Sequence, residues 1–300
     1  MKPVFLAALL AFLPVLRAAA EPPGRRIALV IHADDPRERG LYDKLAQAYR
    51  GRASVSLYEL DAALVSNPIA KGKLVAQLVT SDLVVAVGDG ATEFATRELE
   101  DVPVYFADAT VVAGRALASP SVSGLFSYSV DGLLDAVKAL RLGIVGVVFT
   151  PGYEPVAEWI RAGAAARGLE VVEKKVSASK DLSPVLRGLL ERSRAIWVVG
   201  DPLLVRGAGF EFIEERTLSL GVPVVGPGEW DVAHGALLGY RADPGEQTAA
   251  AERSIDLLLG RRAAPRLAPA PRGGTILLNA TLAGKWRFAP TRGLRWSELR

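Results

Sequence analysis

The sequence contains no cysteine. Disulfide frameworks, thiolate nucleophiles, cysteine-based metal sites and a lipid-modified N-terminal cysteine are excluded with it. Histidine is nearly as scarce, with His32 and His234 the only two, a poor supply for proton shuttling near neutral pH. There is no Gly-x-Ser-x-Gly elbow, no P-loop lysine motif and no His-Glu-x-x-His pair, so the serine, nucleotide and zinc chemistries those motifs support have no foothold. A dominant charge of one sign is missing as well. The net charge is +3, and two of the basic residues, Lys2 and Arg17, lie in the first twenty positions, which hold no acid. The remainder is close to neutral, with arginine scattered among the acids, so no basic stripe exists for a phosphate backbone and nucleic acid is not expected as a partner. Beyond those first twenty residues no apolar run is long enough to read as membrane-spanning.

What is present begins with Lys2, an apolar run from Val4 to Leu16 broken by Pro14, and Ala18-Ala19-Ala20 before Glu21-Pro22-Pro23. This is the order of a secretory signal, residues 1–20, expected to be cut after Ala20 and to leave a periplasmic protein. A retained N-terminal anchor is the alternative, which the short run disfavours and Arg17 beside the cut keeps open.

From there short β-branched runs alternate with amphipathic stretches, the pattern of βαβ units in parallel sheets. The expected strands are Arg26 to Ala33, Val55 to Leu60, Leu83 to Gly88 and Val102 to Ala107, then Ile144 to Thr150, Leu169 to Val176, Ala195 to Gly200 and Val222 to Gly226. The halves match in order: Val84-Val85-Ala86-Val87-Gly88-Asp89 with Ile196-Trp197-Val198-Val199-Gly200-Asp201, and Val102-Pro103-Val104 with Val222-Pro223-Val224. The predicted fold class is therefore α/β, two Rossmann-like lobes with parallel sheets joined by a multi-strand hinge. The first lobe is expected over residues 21–125 together with a helix at about 244–260, and the second over 126–240. Residues 261–300 are read as a Pro/Ala/Arg-rich linker, a third crossover at Thr275 to Asn279 and a tail. Two independent domains in tandem form the competing reading.

In open parallel sheets ligands bind beyond the carboxyl ends of the strands, where following helices begin. That rule selects Asp34, then Gly88, Asp89, Gly90, Ala91 and Thr92, then Asp108, Ala109 and Thr110 in the first half. In the second half it selects Thr150, Tyr153, Asp201, Glu229 and Trp230. Gly88-Asp89-Gly90-Ala91-Thr92 is the sharpest segment, a small-residue helix start suited to an anion, although an ordinary glycine turn reads the same way. Asp108 and Asp201 are candidates for an ammonium group, or for helix caps. An anion-accepting helix start, opposed carboxylates and aromatic neighbours together fit an amino-acid-like solute, an aromatic one included. No metal or cofactor is expected.

These residues resemble the ABC-type substrate-binding proteins of the TrpX-like, tryptophan/tyrosine-binding family. The resemblance rests on Leu83-Val84-Val85-Ala86-Val87-Gly88 before a helix start, Val102-Pro103-Val104-Tyr105-Phe106-Ala107, and Ser123-Gly124. It continues through Val147-Val148-Phe149-Thr150-Pro151, Val222-Pro223-Val224-Val225-Gly226, and Gly260 to Pro265 with Leu277-Leu278-Asn279. It implies a periplasmic-binding-protein type I fold, a monomer that captures a small molecule by hinge closure, and an ABC permease in the inner membrane as partner. The chain departs from the family at Asp201-Pro202-Leu203-Leu204 and at the charged stretch His32 to Arg39, so the family's ligand does not carry over. The expectation is a binding protein and not an enzyme. A periplasmic sensory module and a carboxylate-dependent hydrolase using Asp89 and Asp201 are the alternatives.

Overall fold

Leu83-Val84-Val85-Ala86-Val87 is apolar at every position and forms a strand whose side chains are all buried, as a parallel strand covered on both faces requires. A computed structural model describes residues 24–32, 36–206, 208–260, 262, 265–289 and 293–299. The expected signal segment 1–20 and Asp34 lie outside the described residues.

The first five strands, β1 (Arg26–His32), β2 (Ser54–Leu60), β3 (Leu83–Val87), β4 (Val104–Ala109) and β5 (Val122–Phe126), pair in parallel. The chain then crosses to a second sheet built from β6 (Ile144–Phe149), β7 (Glu170–Lys175), β8 (Ala195–Val198), β9 (Val224–Val225) and β10 (Leu238–Arg241). It returns to the first sheet for the helix Pro244–Leu259, which packs on the helix Pro36–Tyr49, and for β11 (Leu267–Ala268) beside β5. A third passage leads to β12 (Thr275–Asn279), antiparallel to β10, and β13 (Trp296–Leu299). The first sheet runs β11-β5-β4-β3-β1-β2 and the second β13-β12-β10-β9-β8-β6-β7.

Helix caps steer the first two crossings. Ser129 Oγ accepts from Gly132 N (3.2 Å) as the chain leaves β5. Asp243 Oδ1 accepts from Gly245 N and Glu246 N (both 3.0 Å) as it leaves β10, with Pro244 opening the helix.

Boundaries differ from expectation where local chemistry intervenes. The strand expected to run through Gly88 ends at Val87 and the helix starts at Gly88, which places Gly88, Asp89 and Gly90 in its first turn. The strand expected at 222–226 shrinks to Val224–Val225, since Pro223 has no N–H for a ladder. Thr275–Asn279 is a strand of the second sheet, and residues 269–274 make the third crossing.

One continuous apolar cluster runs through both sheets. Phe126, fully buried where the chain first crosses, is its hub, with Phe106 at 5.1 Å, Tyr128 at 5.2 Å, and Tyr153 and Trp159 each at 6.3 Å between ring centroids. Offset and edge-on aromatic pairs of this kind add about 0.5–1.5 kcal/mol each beyond their buried area.

Candidate functional site

The strand tips of the two sheets enclose a cavity of about 630 Å³. Asp89 after β3, Asp108 and Thr110 at the end of β4, and Ser127 after β5 form one side, with Glu38 and Leu41 of the helix Pro36–Tyr49 and Gln247 of the helix Pro244–Leu259. Arg206, the segment Gly228 to Asp231, and Tyr240 and Arg241 of β10 form the other.

Asp108 owes its position to an irregularity in the sheet. The β4–β5 register shifts between Ala107 and Ala109, and Asp108 is the extra residue, with φ of 60°. A left-handed residue at a bulge re-aims its side chain, and aspartate tolerates that conformation better than most residues. Asp89 Oδ1 accepts from Thr110 N (2.6 Å) and Val111 N (2.9 Å) and so fixes the turn after β4.

Across the gap, Arg241 holds Glu229 through two contacts, Nη2 to Oε1 at 2.9 Å and Nε to Oε2 at 3.3 Å. Trp230, 47% exposed, stacks on the His234 ring (centroids 3.9 Å, planes 20° apart) and meets Phe210 edge-on at 5.6 Å. His234 Nδ1 donates to Trp230 O (2.7 Å), since a carbonyl oxygen can only accept.

Asp231 is 2% exposed in the cavity wall. Its Oδ2 accepts from Gly228 N (2.8 Å) and its Oδ1 meets no donor among the described residues. Burial pushes its carboxyl up to about 7, with the Asp89 carboxylate adding to the rise and two backbone N–H groups opposing it. Gln247, also 2% exposed, donates from Nε2 to Phe126 O (2.9 Å). That carbonyl fixes which way the amide points, and Gln247 Oε1 is left without a donor among the described residues.

Of the residues chosen from the sequence, Asp89, Asp108, Thr110, Glu229 and Trp230 line the cavity. Gly88, Gly90, Ala91 and Thr92 stand behind the wall, where fully buried Thr92 donates to Gly88 O (2.6 Å). Gly88 has φ of 79°, and a Cβ there would overlap the Glu38 carboxylate, so an acid of the chain itself lies against this helix start. Ala109 is buried in β4.

Thr150, Tyr153 and Asp201 belong to a seam that fastens the halves beside the cavity. Val112 N donates to Gly200 O (2.9 Å) and Gly114 N to Asp201 Oδ2 (2.8 Å), while Asp201 Oδ1 caps the short helix Pro202–Val205. The Tyr153 hydroxyl lies 2.7 Å from Val112 O and 2.5 Å from Gly200 O. Burial holds this phenol far above its ordinary range, so it stays a donor.

The sequence rule passed over Asp231, Gln247, Arg206, Arg241 and Glu38. Only Gln247 left a trace, a polar residue on the buried face that carries Ala251 and Ile255.

At the rim Arg206 of the second half reaches Glu93 of the first (2.9 Å) and stands 4.0 Å from Asp89. Both side chains of the Arg206–Glu93 pair are about half exposed, and exposed pairs are worth little and are screened by salt. Glu93→Gln is therefore expected to change solute affinity by less than about fivefold, and by nothing measurable in about 0.5 M salt. Titrations at low and high ionic strength check this.

No family model matches the chain. A curated tyrosine-binding protein of Clostridioides difficile (strain R20291) is 25% identical over 201 residues, 60% of this chain and 55% of that protein, so the chain spans about half the length of this relative. Among solved structures, an ABC domain in complex with L-Trp from Streptococcus pneumoniae superposes with a TM-score of 0.58 at 18% identity, covering 92% of this chain and 100% of that one. The ligand-free, open structure of a substrate-binding protein with adhesive properties from Clostridium difficile gives 0.53 at 15% identity, again covering 92% and 100%. The chain has the periplasmic-binding-protein type I fold.

The type I fold explains why residues far apart in sequence share one wall. The two halves point the same strand ends into one gap, so Asp108 faces the segment that carries Glu229 and Asp231. No described helix of this type I fold is long and apolar enough to cross a membrane. Among its described residues no group of three acids or histidines is arranged to hold a metal.

Proposed function

We propose that this chain is a solute-binding protein that takes a small amino-bearing molecule, such as an amino acid, into the gap between its sheets. The observation that carries the reading is the cavity of about 630 Å³, a volume within the usual range for small-molecule sites and walled by strand tips of both halves. The names of the similar proteins support it, one being a tyrosine-binding protein and another a complex with L-Trp. Asp89, Asp108, Thr110, Glu229 and Trp230 are the proposed contacts. Gly88, Gly90, Ala91 and Thr92 shape the wall behind them, Ala109 anchors the end of β4 inside the first half, and Tyr153 and Asp201, with Thr150 packed beside them, hold the two halves in register.

In this reading the protein works as a periplasmic monomer, the solute bridges both halves and favours their closed arrangement, and an ABC permease in the inner membrane receives the cargo. Calorimetric titration with a panel of amino acids, amines and sugars tests it. Binding of at least one amino acid or amine, returned chemically unchanged, is expected, with a smaller scattering envelope at saturation. Silence across the amino acids and amines, or turnover of the compound bound, removes the reading.

A further inference from the structure

Pro271-Arg272-Gly273-Gly274 closes the linker rich in proline, alanine and arginine, and in the fold it ends the third crossing, just before β12. Together with Ala270 it is held, residue by residue, by groups on or beside the other two crossings. Ala270 N donates to Tyr128 O (2.9 Å) on the first. Pro271 O accepts from the Tyr240 hydroxyl (2.6 Å), and Arg272 pairs with Asp131 (2.8 Å). Gly273 N donates to Glu246 Oε2 (3.0 Å) and Gly274 N to the Tyr240 hydroxyl oxygen (2.8 Å).

The last two grips come from opposite halves. Tyr240 belongs to β10 in the second sheet, whereas Glu246 stands in the first turn of the helix Pro244–Leu259, which packs in the first half. The second crossing runs between them. Two adjacent amides, on Cα atoms about 3.8 Å apart, are thus gripped from either side of that crossing, and rotation of one half against the other pulls their acceptors in different directions. The glycine pair permits the close approach: a Cβ at Gly273 would overlap the Glu246 carboxylate, and one at Gly274 the Arg241 carbonyl and the Tyr240 ring. The grips are unequal. Tyr240 is 3% exposed and makes two bonds through one hydroxyl, while Glu246 is exposed and makes one to this stretch, so Glu246 is the end that lets go. The exposed Arg272–Asp131 pair adds little.

We propose that Tyr240 and Glu246 form a catch. While both hold Gly273 and Gly274, the second and third crossings move as one piece and the halves keep their present arrangement; release of Glu246 frees them to rotate. The catch goes beyond the solute-binding reading and does not depend on it, because it acts in the protein without any solute.

Because the chain has no cysteine, one spin label can be placed in each half through Gly72→Cys and Gly188→Cys. These positions lie in the helices Pro68–Leu78 and Ser179–Leu190, and a Cβ at either has nothing within 4 Å. Double electron–electron resonance on the doubly labelled full chain, with no solute added, is expected to give one dominant separation. Glu246→Ala should populate a second separation about threefold or more above its wild-type level. Tyr240→Phe, which loses both hydroxyl bonds, should raise it about tenfold or more. Glu246→Gln keeps an acceptor oxygen and should restore the wild-type distribution, and Arg272→Ala should leave it unchanged. Circular dichroism establishes that the variants are folded, and Glu246→Ala, an exposed position, decides the matter if Tyr240→Phe is not. An unchanged distribution in Glu246→Ala, or a Glu246→Gln protein altered as much as Glu246→Ala, overturns the catch and leaves solute binding standing.

Discussion

At pH 8 Asp231→Asn is expected to raise the unfolding midpoint of the ligand-free protein, and the gain is expected to fade as the pH is lowered toward 4. Burial pushes the Asp231 carboxyl up to about 7 from an ordinary 3.8. The charged groups around it give little relief. Asp89 repels it, Tyr128 on the first crossing is a buried phenol whose own ionisation is disfavoured beside it, and Arg241 on β10 is held by Glu229. A carboxyl whose folded value is raised adds stability at pH values below its unfolded value, and that contribution is lost as the pH rises through the folded value. Between about pH 4 and 7 wild type should therefore lose on the order of 3 to 4 kcal/mol relative to a variant that cannot ionise there. Gly228 N keeps an acceptor in the amide, so the local turn survives. For a chain of this length such a difference moves the melting temperature by several degrees. Denaturant melts of both proteins at pH 4.5, 6 and 8 measure it. Curves that stay parallel across that range would show that Asp231 is not held in an unfavourable charged state. A binding site that gives up stability to keep a buried charge is a common compromise between stability and function.

The architecture could be read from the sequence because its causes are local. Strands buried on both faces must be apolar throughout, as Leu83 to Val87 are, and the repeated strand, glycine and aspartate order in each half then implies two equivalent sheets. Edge strands were equally readable: β7 is Glu170-Val171-Val172-Glu173-Lys174-Lys175, charged as an unpaired edge demands. The site was visible only where strand ends dictate it. Asp108 lies where the rule put it, yet the bulge that turns it inward arises from pairing with β5 and leaves no mark in the residues themselves. Asp231 was missed because the helix Glu229–Ala233 has five residues, too few for any periodicity, and because Asp89, which repels its charge, comes from the other half of the chain. Asp201 shows both limits together. Asp-Pro is a readable helix start, and Asp201 does cap one, but its second oxygen holds Gly114 across the seam, which only the folded chain reveals.

That seam sets the second large effect, for Gly114→Ala. A Cβ at Gly114 would run into the Pro151 carbonyl, just as one at Gly152 would meet the Gly114 carbonyl and one at Gly200 the Thr110 carbonyl. Backbone meets backbone at all three places, so no flexible side chain can move aside, and the added methyl must push the halves apart. The hydrogen bonds that would stretch with it are Val112 N to Gly200 O, Gly114 N to Asp201 Oδ2 and the Tyr153 hydroxyl to its carbonyls. Forced overpacking of a closed contact costs about 1–3 kcal/mol, and buried hydrogen bonds lost with it raise the total. Gly114→Ala is expected to lose at least about 2 kcal/mol of stability, to enlarge the scattering envelope of the ligand-free protein, and to weaken whichever solute binds, because both walls of the cavity are positioned by the seam. Gly143→Ala is the control, since a Cβ there has nothing within 4 Å. The two variants should differ clearly in all three measurements. Equal behaviour would mean that the halves are not registered at Gly114, Gly152 and Gly200, and that the three crossings alone hold them.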